Sequence, residues 1–360
     1  MSVSHSSERI NNFGLLRLFA ASQVMLIHGF HYLGLPQQGW LHIFSAFPGV
    51  PIFFVISGFL ISASWEKSTN PVDYSVRRAA RIYPGLIVCI IFTCAALFFL
   101  GFDILNGKTV LWAALQSAGL IYTPGHLRSF GFGSYNSSLW TIPIELQFYV
   151  VLPFVLTVCG MAKNKTRAIF LTFAAFLIGA AALNAWLPGL DEPQTPIQKA
   201  LLHLFIPYFY MFMFGVLIRA TNLHKSKFLV GKGLYWCAAC IAASIVLPKN
   251  SITSCISALV LGVTVISIAW TAPRLSPAIL GEFDISYGIY IYHGVIINIL
   301  LETGFGGSWS GLLILIAATS SAACISWLAI EKPILALAHK PASDYMRAIF
   351  RRRQPNVAEI

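Results

Sequence analysis

Ten stretches of this chain run for close to twenty residues with almost no charge, and that repetition restricts the fold more than any other feature. They lie at about 13–35, 43–64, 83–102, 139–160, 168–187, 199–219, 231–247, 252–271, 283–302 and 310–330. Coiled as a helix, such a run matches the hydrocarbon thickness of a bilayer, about 30 Å. The runs are continuous rather than alternating, which argues against a β-barrel. Only 10% of residues are charged and 57% are hydrophobic, whereas soluble domains carry about 25% charge. The reading is an all-α, polytopic membrane protein with about ten transmembrane helices.

Charge sets the expected topology. The piece 109–122 is apolar but short for a crossing. If it crosses, Lys163, Lys165, Arg167 and every later basic loop fall outside in alternation. If 103–138 is instead one external segment with an interfacial or re-entrant helix, both termini are cytoplasmic. Only Lys108, Arg128, Lys199 and Lys249 of the 24 Lys and Arg then lie outside, as the positive-inside rule requires. The net charge of +11 is thus explained by topology rather than by nucleic acid, and no nucleic-acid partner is expected.

The organisation that follows is a cytoplasmic N-terminal segment at 1–12, a ten-helix membrane domain at 13–333 and a basic cytoplasmic tail at 334–360. Arg351, Arg352 and Arg353 in the tail suit anionic headgroups, so membrane lipids are expected partners. No A-x-A cleavage site follows the first span, which is read as retained. The seven cysteines sit in apolar runs. Even Cys237-x-x-Cys240 reads as small buried hydrophobes, with no metal site.

Within these spans a few polar residues stand out, because ionisable groups inside a membrane are costly and face an interior or a wet cavity. Arg17 and His28 are eleven residues apart in the first span, so they share one helix face about 16 Å apart. Glu145, near the start of the fourth span, falls at the depth of His28. A carboxylate there would hold the ring's tautomer and raise its basicity. Arg77, Arg78 and Arg81 precede the third span and, with Arg17, outline a cationic mouth suited to phosphate. Ser57-Gly58 leaves room among large apolar residues, for close helix packing or for a ligand arm. His293, with Tyr287 and Tyr290 in the ninth span, is read as packing and hydrogen bonding. His31, one turn beyond His28, is an accessory donor candidate.

These residues fall into a recognisable order. The run from Phe13 to Pro333 resembles the acyltransferase-3 family of bacterial integral-membrane acyltransferases, which acylate sugars of envelope polysaccharides and related glycans. The resemblance rests on Arg-x10-His at Arg17 and His28, FFVISGFLIS at 53–62 and RRAARIYP at 77–84. It extends to SLWTIPIELQFYVVLP at 138–153, SYGIYIYHGV at 286–295 and AIEKP at 329–333. It implies a ten-helix core, His28 as the essential histidine, Arg17 as its motif partner, and Arg78 and Arg81 as acyl-CoA contacts. Glu145 and Tyr149 fall on the family's Glu-x-x-Phe-Tyr element. Many members carry a further SGNH-type domain; this sequence reads as a stand-alone form.

The expectation is therefore a membrane O-acyltransferase of the bacterial cytoplasmic (inner) membrane. It would bind no permanent cofactor and use cytoplasmic acyl-CoA, acetyl-CoA by resemblance, as donor substrate. His28 would act as general base, poised by Glu145, on a hydroxyl of a glycan or lipid-linked sugar acceptor. Ser57 or a tyrosine would supply an oxyanion donor. An acyl-histidine route is the mechanistic competitor. A transporter of a glycan or lipid-linked intermediate is the alternative at the level of class. The aromatic, Gly- and Ser-rich stretch at 125–138 is the expected specificity segment.

Overall fold

A computed structural model describes residues 10–36, 38–68, 70–120, 122, 124–125, 129–187, 195–248 and 250–338. Expectations for residues 1–9, Arg128, Lys249 and the tail beyond 338 lie outside the described residues. The described chain is helical and contains no strand. It is a polytopic membrane protein.

Each expected span is occupied by a helix. In chain order these are α1 (Phe13–Tyr32), the short α2 (Trp40–Ser45) that leads into α3 (Gly49–Lys67), and α4 (Pro71–Phe99). Next come α5 (Gly107–Ser117), α6 (Thr141–Gly160), α7 (Lys165–Trp186), the short α8 (Pro196–Leu202) and α9 (Phe209–Ala220). The series closes with α10 (Gly233–Val246), α11 (Ser251–Ala269), the short α12 (Leu275–Leu280), α13 (Ser286–Glu302), α14 (Trp309–Ser326) and α15 (Lys332–Ala338). Seven helical spans among the described residues are long and apolar enough to cross a bilayer. The shorter helices α9 and α10 are apolar as well.

Three local differences from the sequence reading have plain causes. Helix α4 begins at Pro71, twelve residues before the apolar run, because Asn70 caps it by accepting the Asp73 N–H at 2.8 Å and Pro71 occupies its first turn. Arg77, Arg78 and Arg81 therefore ride on a helix instead of preceding one. The run 199–219 is broken between α8 and α9, where Pro207 falls. Gln147 of α6 repairs the exposed backbone, donating to His203 O at 3.3 Å and accepting the Phe205 N–H at 2.9 Å. After α14 the chain takes one π-helical turn, Trp327–Glu331, before α15.

The relative directions follow from two pairs of contacts. Arg17 and His28 of α1 meet Asp284 and His293 in that order, so α1 and α13 run parallel. Ser138 and Thr141 lie at the His293 and Tyr290 level, whereas Tyr149 lies by Arg78, so α6 runs the opposite way. Helix α5 has eleven residues, about 16 Å of rise, roughly half a bilayer. These directions are those of an arrangement in which α5 does not cross.

Close packing at the centre depends on two glycines. A Cβ on Gly58 would collide with the Phe212 carbonyl, and one on Gly215 with the Val55 carbonyl. Helices α3 and α9 therefore cross with their backbones in contact, the arrangement small residues permit in membranes.

Candidate functional site

Four helices and the turn before α13 converge on one polar shaft. At its lower end Asp284 Oδ2 accepts from Arg17 Nη2 at 3.0 Å and from Arg81 Nη2 at 2.7 Å. Its other oxygen accepts from Ser286, through the hydroxyl at 2.5 Å and the backbone N–H at 3.3 Å. One carboxylate thus ties α1, α4 and the start of α13 together and compensates two largely buried guanidiniums.

Arg78, one turn before Arg81, is different. It makes no ion pair or hydrogen bond among the described residues, and its guanidinium lies 5.9 Å from the centre of the Tyr149 ring. Arg77 turns away, donating to Ser68 Oγ at 2.6 Å. Of the four arginines expected at the mouth, Arg78 alone presents an uncommitted fork.

Midway, Glu145 Oε1 accepts from Ser57 Oγ at 3.1 Å and from Tyr149 OH at 2.6 Å. Arg17, Arg78, Arg81, Ser57, Glu145 and Tyr149 all line one cavity. The sequence reading thus selected six residues of a single wall. The cavity reaches Tyr290, whose hydroxyl accepts from Thr141 Oγ1 at 2.8 Å.

Beyond Tyr290 lie two imidazoles. His28 Nδ1 is 3.0 Å from His293 Nε2, and Ser138 Oγ is also 3.0 Å from that nitrogen. Gly294 lets the 3-10 turn Ser137–Trp140 seat here, since a Cβ on it would collide with Asn136 Oδ1 and come within 2.6 Å of Ser138 Oγ. The expected pairing of Glu145 with His28 is corrected: no hydrogen bond joins them, and the partner of His28 is His293. Rise per residue fixes a side chain's height on a helix but not the direction it faces, and Glu145 faces α3. His293, read from sequence as packing, is the ring that touches the histidine of the Arg-x10-His motif.

Asp284 was not singled out from sequence. Its signal was present: two buried arginines need a countercharge, and Asp284 stands two residues before the SYGIYIYH run. Ser138 carried no such mark.

The 125–138 segment is anchored in its described part. Asn298 of α13 accepts the Phe132 N–H at 3.1 Å and donates to the Ser134 and Tyr135 carbonyls at 2.6 and 3.0 Å. Glu302 accepts the Gly131 N–H at 2.7 Å. Phe132 stacks on Tyr32 with ring centres 4.2 Å apart, and Tyr32 is one turn beyond His28. His31 is exposed, with its ring centre 4.8 Å from that of Tyr32.

Comparison with known proteins places this site in context. A family model described as an acyltransferase domain matches residues 10–331. The chain is 34% identical to Nodulation protein 10 of Rhizobium leguminosarum bv. viciae, over 92% of this chain and 95% of that one. It is 26% identical to the O-acetyl transferase of Shigella phage Sf6, over 90% and 96%. It is 29% identical to the peptidoglycan O-acetyltransferase OatA of Listeria monocytogenes, over 41% of this chain and 26% of that relative. No solved structure matches.

Proposed function

We propose, from the premise that this chain belongs to the acyltransferase-3 family and is a membrane O-acyltransferase, that it moves an acetyl group from cytoplasmic acetyl-CoA to a hydroxyl of an exported or envelope glycan. The observation that carries this reading is the order of groups along the bundle, with the cavity ending at Tyr290, whose ring centre lies 5.9 Å from that of His293. Arg78, without an ion pair among the described residues, lines the cavity at one end, and the motif histidine lies beyond Tyr290 at the other.

In this scheme the donor's phosphates meet Arg78, with Arg17 and Arg81 adding positive field from their bridge to Asp284. The thioester arm runs along the cavity past Ser57, Glu145 and Tyr149. The acceptor approaches from the opposite side, under the segment held by Asn298 and Glu302. Its hydroxyl oxygen attacks the thioester carbonyl while its proton passes to His28. The C–S bond breaks as the new C–O ester forms, and the proton on His28 goes to the departing CoA thiolate. Ser57, Thr141 and Tyr290 supply hydroxyls on the route, of which the one nearest the carbonyl would serve the oxyanion. The relatives named as O-acetyltransferases support acetyl as the group, and the one named for peptidoglycan supports a glycan acceptor. The cytoplasmic membrane of a bacterium is the location that supplies both substrates.

The test is stoichiometry. Purified protein given acetyl-CoA and glycan should release one CoA thiol for each ester formed on the glycan. Movement of a glycan across a vesicle membrane with the thioester intact would favour the transporter reading and refute this one.

A further inference from the structure

Resting on the role given above to His28, we propose that His293 is a positioning residue that fixes the tautomer and ring orientation of His28, so that Nε2 of His28 is the atom that takes the acceptor proton. The argument starts from the far side of His293. Its Nδ1 lies 3.1 Å from the Ile289 carbonyl one turn back on α13. A carbonyl oxygen only accepts, so that nitrogen carries the hydrogen. In a neutral ring the other nitrogen, Nε2, then holds a lone pair and nothing to donate.

Two groups lie 3.0 Å from that lone pair, His28 Nδ1 and Ser138 Oγ. Both must donate. His28 therefore carries its hydrogen on Nδ1, and its Nε2 is the bare basic nitrogen, with no hydrogen-bond partner among the described residues. The chain of donation runs one way, from His28 to His293 to the α13 backbone. The hydrogen bond on one ring nitrogen decides the chemistry of the other.

His293 is suited to holding this order. It is fully buried, it sits on the helix whose first residues anchor Asp284, and Ser138 is seated against it by Gly294. When His28 Nε2 takes the proton, the Nδ1–H bond to His293 persists, so the imidazolium keeps its orientation while charged. No covalent change occurs at His293.

The experiment compares His293→Leu with His293→Gln in acetyl-CoA-dependent transfer, with His28→Ala as reference. A glutamine can present its amide oxygen near the place of Nε2 and accept from His28; leucine cannot. The expected result is a fall in kcat of about 10- to 100-fold for His293→Leu, with KM for acetyl-CoA unchanged. His293→Gln should recover at least tenfold of that loss at equal melting temperature. Equal losses in the two variants, or a wild-type kcat in His293→Leu while His28→Ala is inactive, would overturn the inference and leave the function standing. Full activity in His28→Ala would remove both together.

Discussion

Arg17 and Asp284, 267 residues apart in sequence, meet at 3.0 Å where α1 passes the start of α13. Because Arg81 binds the same carboxylate oxygen at 2.7 Å, the lower end of the shaft is held by one acid shared between two cations. Its removal is expected to leave two largely buried guanidiniums uncompensated. Asp284→Ala should cost on the order of 3 kcal/mol and appear as a lower melting temperature in detergent. Asp284→Glu should recover part of it. An unchanged melting temperature would mean the bridge is structurally idle.

Arg78 offers the opposite case. Having no ion pair among the described residues and only the Tyr149 ring beside it, it contributes little to folding. Arg78→Ala should leave the melting temperature near wild type and raise KM for acetyl-CoA about tenfold or more, the effect of losing one charge-assisted phosphate contact. A lowered kcat with KM unchanged would place Arg78 elsewhere in the reaction.

Glu145, Ser57 and Tyr149 form a unit, because two hydroxyls share the oxygen Oε1. Glu145→Ala leaves both hydroxyls without their acceptor, which typically costs about 1–3 kcal/mol where such groups are buried. Tyr149→Phe combined with Glu145→Gln should be non-additive, with a coupling of about 1 kcal/mol or more in a thermal double-mutant cycle. Strict additivity would show that the contact has no energetic content.

The crossing of α3 and α9 predicts a contrast between glycines. Gly58→Ala forces a methyl into the Phe212 backbone, which cannot rotate away, and should destabilise by about 3 kcal/mol or more. Gly179→Ala, on α7 with nothing within 4 Å, should be neutral or stabilising by about 0.5–1 kcal/mol. Comparable melting temperatures for the two variants would contradict the packing.

Much of this was legible in the residues, and the rest failed for identifiable reasons. Apolar runs located each of the seven helical spans long enough to cross, since lipid forces backbone groups to pair within their own helix. Arg17 and Glu145 stood out because charge is costly at that depth, Arg78 and Arg81 as forks suited to phosphate, Ser57 as a small residue among large apolar ones, and Tyr149 by its place in the family's Glu-x-x-Phe-Tyr element. What the sequence reading missed was which partner faces which. Glu145 and His28 share a level but look toward different helices. Asp284 lies at the edge of the 283–302 run, in the turn before α13, where an acid carries less cost than at mid-span. His293 looked like one more polar atom on an aromatic helix until Ile289, Ser138 and His28 were seen around its ring. Gly58 and Ser57 divide the roles left open between them: the glycine packs on α9, and the serine faces the cavity.

The most direct measurement is transfer of labelled acetyl from acetyl-CoA to glycan in native membranes, comparing wild type with His28→Ala at matched protein levels. The account predicts label on the glycan with wild type and none above background with the variant, both proteins being present in the membrane. Equal labelling in the two would contradict the role of His28 and, with it, the mechanism drawn along the shaft.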